Sequence, residues 1–285
     1  MLKILEFAAL RGALAAAQTA SPGFCEGLAR LAARAAFCVD ARHRERARSH
    51  LRLAYSTSRT EREIRDLSLA CFEEVARNAT LFARMLRGEG GRVALSGVEV
   101  IRKAHAGGKG VVVIGAHLGP FCLLAPLARQ LGIPATVVLK RQKNGHLLRW
   151  FADAVRRRFD IEVLLKKDAP AQAAGVLRRG RALVLFADQH PISGGVPCRF
   201  FGRPVEAPSG PGVLARRSGA PLVMVTITSR VSGEPEARFD GPVSTTGTLR
   251  EITQRWMDLL EARIREHPEQ WMWMHRRWRD NGSPG

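Results

Sequence analysis

Residues 110–128 read GVVVIGAHLGPFCLLAPLA and contain no Lys, Arg, Asp or Glu. A hydropathy window alone would suggest a membrane span here, but the internal order of the stretch argues against one. A β-branched segment comes first, then Gly115, His117, Gly119 and Pro120, and then a segment rich in Leu and Ala. This order predicts a buried strand, a turn and a helix.

The same alternation continues toward the C-terminus. Four more β-branched runs follow: ATVVL at 135–139, IEVLL at 161–165, ALVLF at 182–186 and PLVMVTI at 221–227. Strands alternating with amphipathic stretches predict an α/β fold, in which helices cover a mixed, mainly parallel sheet. In such a sheet the functional residues collect on the loops that follow the strands.

The first part of the chain has a different pattern. Apolar residues recur at helical spacing up to about Arg87, and Thr60 stands ahead of EREI as a helix cap. We therefore predict one domain over 1–285, with a helical membrane-proximal region at 1–90 and an α/β core at 91–285. The core is predicted to end in a helix around Leu249 to Glu266, followed by a C-terminal tail.

The chain is strongly basic. Its 285 residues include 45 Lys and Arg against 26 Asp and Glu, a net charge of +19. Such a charge favours anionic partners: nucleic acid, phospholipid head groups or an acidic carrier protein. Five scattered cysteines without a C-x-x-C pair indicate reduced thiols in the cytosol.

The N-terminal segment is a candidate for membrane contact. It carries no charge from Gly12 to Cys25, which is shorter than the roughly 20 residues that cross a bilayer. Glu6, Arg11 and Pro22 interrupt the apolar stretch that a cleaved secretory signal would need. We interpret the segment as a membrane-surface helix, and the alternative is an Ala-rich helix packed on the core.

Two polar positions follow predicted strands. His117 ends the VVVI strand, where a neutral imidazole could remove a proton from a hydroxyl; the alternative is a structural histidine. Asp188 and Gln189 follow ALVLF and would supply a carboxylate and an amide at the same edge of the sheet. Asp188 could instead only tie down the long loop at 189–212, which is rich in Gly and Pro.

Two basic segments could bind anions or lipids. Arg141 follows ATVVL, where a cation could receive a phosphate or stabilise an oxyanion, unless the run is a solvated charged surface. The ending WMWMHRRWR alternates large apolar side chains, Trp and Met, over 271–274 and then becomes basic. This pattern suits a half-buried final strand, a membrane interface or stacking on single-stranded nucleic acid.

Several common motifs are missing from their required contexts. The sequence lacks a phosphate loop, H-E-x-x-H, G-x-S-x-G and a dinucleotide G-x-G-x-x-G, so we expect no metal or nucleotide cofactor. A nucleic-acid partner is suggested by charge alone. The aromatic content of 6% and the lack of a recognition motif argue against it.

Longer segments carry a family resemblance. RERARSHLRLAY, GKGVVVIGAHLGPF, LKRQKNGHLLRW and LVLFADQ occur in this order, followed by the block at 194–225 and by PEQWMWMHRRW. Together they resemble the late acyltransferases of lipid A biosynthesis, the lauroyl/myristoyl acyltransferase family. The last two segments are the most specific. The resemblance implies a fold similar to that of glycerolipid acyltransferases.

The resemblance also implies a reaction and a location. It implies transfer of a fatty acyl chain from acyl carrier protein, or from acyl-CoA, to a hydroxyl of lipid A precursor or a related glycolipid. The protein would be peripheral, on the cytoplasmic face of the bacterial inner membrane. Carrier protein, glycolipid phosphates and anionic lipids are all negative, so the net charge would favour each encounter. The alternative is a lipid-binding relative without catalysis.

Residue by residue, His117 matches the family's catalytic histidine, Arg141 its basic residue after the next strand, and Asp188 with Gln189 its DQ pair. The matched segments also contain four predicted substrate-binding residues: Asn144, Gly195, Ser209 and Arg276. One position departs from the pattern, because the family has a carboxylate five residues after the histidine and this sequence has Cys122.

Three interpretations of Cys122 stay open. Cys122 could be a thiolate at a helix start that orients His117 or carries an acyl group. Asp188 could replace the missing carboxylate. In the third interpretation the protein has kept the fold and lost the reaction.

Overall fold

The computed structural model describes residues 21–55, 58–88, 91–140, 144–191, 194–230 and 232–278, together with Gly12, Ala15, Thr19 and Ala20. The helices are α1 (Pro22–Val39), α2 (Ala41–Tyr55), α3 (Glu61–Arg87), α4 (Val98–Ala106), α5 (Leu124–Leu131), α6 (Gly145–Phe159), α7 (Ala169–Arg178), α8 (Gly210–Ser218) and α9 (Leu249–Glu266). Short 3-10 turns cover Phe121–Leu123 and Pro268–Gln270.

The strands are β1 (Ala94–Ser96), β2 (Val111–Gly115), β3 (Ala135–Leu139), β4 (Ile161–Leu165), β5 (Ala182–Phe186), β6 (Gly195–Phe200), β7 (Arg203–Pro208), β8 (Leu222–Ser229) and β9 (Pro235–Val243). Seven of them form one sheet in the order β1-β9-β8-β2-β5-β3-β4. Within this sheet β8 and β9 pair antiparallel, and the other neighbouring strands pair parallel. The α/β class with a mixed, mainly parallel sheet is thereby confirmed.

The five β-branched runs of the sequence became strands β2, β3, β4, β5 and β8. β2 is buried along its whole length, because it lies between β5 and β8 in the sheet and its side chains enter both hydrophobic cores. The long loop after β5 contains β6 and β7, which form a separate antiparallel hairpin. The sequence pattern does not predict this hairpin, β1 or β9, since none of them is a continuous apolar run.

The described N-terminal part up to Arg87 consists of α1, α2 and α3 with short connections between them, as predicted. α3 starts with a capping box in which the side chains of Thr60 and Glu63 bond each other's backbone N–H. It ends at Gly88, which has a left-handed φ of 93°. Of the membrane-surface helix predicted between Gly12 and Cys25, Gly12, Ala15 and residues 19–25 are described, and the last four of these residues belong to α1. Membrane contact and the division at residue 90 stay predictions. No helix in the described part of the chain combines the length and apolar composition needed to cross a membrane.

The C-terminal segment, residues 271–278, corrects one prediction. The expected strand at 271–274 is absent: a single antiparallel bridge joins Leu118 to Trp271, and the chain then turns. Trp271 and Trp273 are 2% and 0% exposed and pack edge to face. These two indoles therefore belong to the core, and neither forms a membrane interface or a stacking surface for bases. The apolar alternation arose from packing on Phe200 and Phe201 of the hairpin, a tertiary contact that periodicity cannot distinguish from a strand.

We predict that Trp273→Ala lowers the free energy of unfolding by about 3–5 kcal/mol, because it empties a fully buried site. It also removes the indole N–H that donates to the Pro268 carbonyl at 2.6 Å. Urea denaturation followed by circular dichroism measures the change. Phe24→Ala is the matched control, since Phe24 is 63% exposed and its removal should cost little. Equal losses in the two variants would contradict this account of the segment.

Candidate active site

The parallel pairing of β2 with β5 sets the geometry of the site. Its register places Gly115 opposite Phe186, and extending it by two residues places His117 opposite Asp188. Both residues lie just beyond the carboxyl ends of their strands, where parallel sheets place functional groups. Two positions that are 71 residues apart in sequence are thereby brought into contact.

Asp188 accepts three hydrogen bonds in the interior and is only 3% exposed. Its Oδ1 accepts the ring Nδ1–H of His117 at 2.8 Å. Its Oδ2 accepts the backbone N–H of His117 at 2.9 Å and the indole N–H of Trp271 at 3.1 Å. A buried carboxylate with this many donors stays ionised and fixes the groups around it.

The pKa values of the pair move apart. Burial by itself would raise the pKa of Asp188, but the charge of His117 and the hydrogen bonds from His117 and Trp271 hold it well below its usual range. Burial lowers the pKa of His117, but the charge and the hydrogen bond of Asp188 together raise it by more. The pKa of His117 therefore lies above its ordinary value of 6.5. A histidine whose protonated form is stabilised by an ionised carboxylate is suited to act as a general base.

The imidazole of His117 is held between two aromatic rings. The centroid of Phe121 lies 4.9 Å from it and that of Phe186 lies 4.8 Å from it. Because Nδ1 donates to Asp188, the neutral ring carries its lone pair on Nε2. The side chain is 19% exposed, and Nε2 bonds no other residue in the described part of the chain. The arrangement is an oriented base with one nitrogen left for a substrate proton.

The loop that carries His117 is fixed through Gly119. This residue has a left-handed φ of 55°, and a Cβ here would collide with the carbonyl oxygen of Ile227. Its N–H donates to the Gln270 carbonyl at 2.9 Å, and its carbonyl accepts from the Asn78 side chain at 2.8 Å. Elements distant in sequence, α3 and the 3-10 turn before Trp271, therefore hold the His117 loop from both sides.

The whole chain matches one family by sequence. The model of the family described as bacterial lipid A biosynthesis acyltransferase matches residues 3–280. The chain belongs to this family. The resemblance found in the sequence segments is thereby confirmed.

Individual relatives of the acyltransferase family are distant. A phosphatidylinositol mannoside acyltransferase of Mycobacterium tuberculosis is 28% identical over 73% of this chain and 66% of its own. The lipid A biosynthesis lauroyltransferase of Escherichia coli K12 is 30% identical over 66% of this chain and 63% of its own. A palmitoleoyltransferase of lipid A biosynthesis in the same organism is 26% identical over 65% and 61%. The matches thus span less than two thirds of the relatives' own lengths.

Cys122 has none of the properties of a thiolate. It lies in the 3-10 turn after the His117 loop and packs against the hydrophobic core that includes Leu123 and Leu127. Burial, reinforced by the charge of Glu74, raises the pKa of its thiol to about 12. The interpretation that a lowered pKa activates Cys122 requires the opposite shift. Asp188 holds the position from which a carboxylate orients His117, which is the second of the three interpretations.

The other predicted substrate-binding residues differ in their surroundings. Gln189 is beside the pair, with its amide nitrogen 3.4 Å from Nδ1 of His117. Asn144 caps α6 with its side-chain oxygen, and the Ser209 hydroxyl donates to the Gly194 carbonyl at 2.6 Å. Gly195 begins β6 close to Glu206, and a Cβ there would collide with that side chain. Asn144, Gly195 and Ser209 thus have local structural roles in the described residues.

Two further predicted positions have different outcomes. Arg141 lies outside the described residues. Arg276 is half-buried in the C-terminal segment, close enough to Arg46 of α2 for their charges to repel. Substrate binding by all six predicted residues, including Asn144, Gly195 and Ser209, stays a prediction. Among the residues described, no group of three or more His, Cys, Asp or Glu side chains is placed to hold a metal ion.

Trp271 and Asn78 also belong to the site, although the sequence pattern did not indicate them. Trp271 lies in the PEQWMWMHRRW segment, so the resemblance pointed to it without giving it a role. Asn78 interrupts the apolar face of α3, where it is 9% exposed. A polar residue on a buried helical face is a usable signal, since such a group needs a hydrogen-bond partner.

We predict that Asp188→Asn lowers the pKa of His117 below its ordinary value. The substitution removes the carboxylate charge that raises this pKa and leaves burial, which lowers it. The measurement is a pH titration of the histidine ring signals by NMR, with the His117 signal among the eight histidines identified through His117→Gln. An unchanged pKa of His117 in Asp188→Asn would contradict the pairing.

Proposed function

We propose that this protein is an O-acyltransferase that moves a fatty acyl chain from acyl carrier protein to a hydroxyl of lipid A precursor or a related glycolipid. The observation that carries the proposal is the His117–Asp188 pair, with Nδ1 bonded to a buried carboxylate at 2.8 Å and Nε2 left for a substrate. Membership in the lipid A acyltransferase family supports the same reaction class.

The chemistry follows from the pair. Nε2 of His117 takes the proton of the acceptor hydroxyl while the oxygen of that hydroxyl forms a bond to the acyl carbonyl carbon. The bond from that carbon to the carrier sulfur then breaks, and the imidazolium returns the proton to the leaving thiolate. Asp188 stabilises the imidazolium between these two transfers. Because only the neutral imidazole accepts a proton, the rate falls as the pH drops through the raised pKa of His117.

Several properties support the choice of partners. The net charge of +19 favours encounter with an acidic carrier protein and with anionic lipid. The named relatives act in lipid A biosynthesis or on phosphatidylinositol mannoside. Lipid A and phosphatidylinositol mannoside are both glycolipids. The acceptor of this protein would accordingly be a glycolipid with a free hydroxyl.

The outer face of α1 supports a peripheral position on the cytoplasmic face of the inner membrane. Phe24, Leu28, Leu31 and Val39 are spaced along one side of the helix and are 63%, 56%, 66% and 81% exposed. A contiguous row of large exposed apolar side chains is unusual on a monomeric soluble protein and marks an interaction surface. Beside basic helices, such a row suits insertion into an anionic bilayer surface.

Mass spectrometry of lipids from cells with and without the gene tests the reaction. We predict that the wild-type gene adds the mass of one acyl chain to a glycolipid. His117→Ala should abolish the added mass because it removes the base. Cys122→Ala should retain it, because a partly buried, neutral thiol is not needed for the transfer. In single-turnover transfer from acyl carrier protein, Asp188→Asn should be slower by a factor of about 10² to 10⁴.

Three outcomes of this test point elsewhere. An active His117→Ala enzyme would remove the proposed base from the mechanism. If Asp188→Asn left the transfer activity unchanged and Cys122→Ala lowered it, the orienting role would belong to the thiol. If neither carrier protein nor acyl-CoA supports transfer by a folded wild-type protein, the catalytically silent lipid-binding alternative is favoured.

We predict that replacing Phe24, Leu28 and Leu31 together by Ser weakens binding to vesicles of anionic phospholipid at least tenfold. Each apolar side chain withdrawn from the interface costs on the order of 1 kcal/mol or more. Co-sedimentation measures the binding, and Phe24→Leu, which keeps an apolar side chain, is the matched control. Retained binding by the triple variant would show that α1 is not the membrane contact.

A further inference from the structure

One face of α2 lies along the C-terminal segment. Arg42, Arg46 and His50 are four residues apart and therefore share that face. A ring nitrogen of the buried His50 bonds the Trp273 carbonyl at 2.8 Å, and a guanidinium nitrogen of Arg46 donates to the Met274 carbonyl at 3.3 Å. The same face continues outward to Arg42, which is exposed.

The C-terminal segment also contacts the catalytic loop. The backbone N–H of Met272 donates to the His117 carbonyl at 3.3 Å, and the Trp271 indole bonds Asp188. A strip of six residues thus runs from the catalytic pair to Arg276. Arg42, Arg46 and Arg276, called here the arginine cluster, lie at the outer end of this strip.

The charges of the arginine cluster are not compensated. Burial lowers the pKa of Arg46, and repulsion by Arg276 and Arg42 lowers it further. Asp40 acts in the opposite direction, but its carboxylate is bonded to His43 at 2.7 Å. Within the described ranges, no carboxylate forms an ion pair with any of the three arginines. Like charges four residues apart destabilise a helix, so their grouping needs another cause.

His275 adds little charge to this region. Burial lowers the pKa of His275 to about 4, and His117, His50 and Arg46 contribute in the same direction against Asp188. His275 is therefore neutral near pH 7. The positive charge beside the catalytic pair comes from guanidinium groups, which bind phosphate oxygens through paired N–H donors.

We propose that the arginine cluster binds a phosphate group of one of the two substrates and thereby positions that substrate beside His117. The inference rests on the proposed acyl transfer and adds a site to it. The phosphate group could come from either of two substrates. One is the acyl donor, through the phosphodiester of the phosphopantetheine arm on the carrier, and the other is the glycolipid acceptor, through a phosphate of its own.

Steady-state kinetics distinguish the two sources. Arg46→Gln and Arg276→Gln should each raise the KM of the phosphate-bearing substrate on the order of tenfold to a hundredfold, while kcat stays within about threefold, because a remote binding contact is lost. A rise in donor KM at saturating acceptor assigns the site to the phosphopantetheine phosphate. A rise in acceptor KM at saturating donor assigns it to the glycolipid phosphate.

Arg62→Gln is the matched control, since it makes the same charge change on an exposed side chain of α3. If Arg46→Gln and Arg276→Gln change neither KM by more than Arg62→Gln does, the proposal is overturned. Unfolding temperatures of all three variants show whether a KM change arises from loss of structure.

Titration with inorganic phosphate at low salt, followed by calorimetry, tests the site without catalysis. Wild type and Arg62→Gln should bind phosphate alike, and Arg46→Gln and Arg276→Gln should bind it at least tenfold more weakly. If the wild type catalyses no transfer but shows this binding pattern, the proposed function fails and the phosphate site stands. Equal binding by all four proteins would overturn the site.

Discussion

Asp188 is the residue on which the rest of the site depends. Its buried carboxylate joins three parts of the chain: the end of β5 that carries it, the loop after β2, and the C-terminal segment through Trp271. An isolated charge in such a position would be strongly unfavourable. The three hydrogen-bond donors to Asp188 compensate the charge of its carboxylate. The same hydrogen bonds that make the buried charge tolerable also orient His117, so stability and chemistry here have one source.

This geometry explains how the chain can lack an acid five residues after the histidine. A carboxylate from the neighbouring strand reaches Nδ1 directly, because the parallel register of β2 and β5 brings His117 and Asp188 to the same level. Cys122 is left to pack in the core, where burial keeps its thiol neutral. The orientation of His117 is thus supplied by sheet pairing in place of local sequence.

The helices before the sheet and the segment after it surround the site with two different surfaces. α1 exposes apolar side chains, whereas α2 places arginines along the C-terminal segment. An apolar row beside a basic face would let a protein rest on an anionic membrane and hold a phosphate near the base. Because the C-terminal segment contacts both α2 and the His117 loop, substrate binding at the arginines and proton transfer at His117 would share one rigid connection.

The sequence by itself determined the helical N-terminal part, the five central strands, the α/β class and the positions of His117 and Asp188 at strand ends. These features follow from local periodicity and turn residues, which act over short distances along the chain. Only the tertiary structure decided that β2 and β5 are neighbours and that Asp188 therefore bonds His117. It also decided that WMWM folds into the core in place of a strand, and that Asn78 and Trp271 support the site. Each of these features depends on contacts between residues far apart in sequence. Local sequence patterns indicate where strands form, but they do not indicate which strands pair.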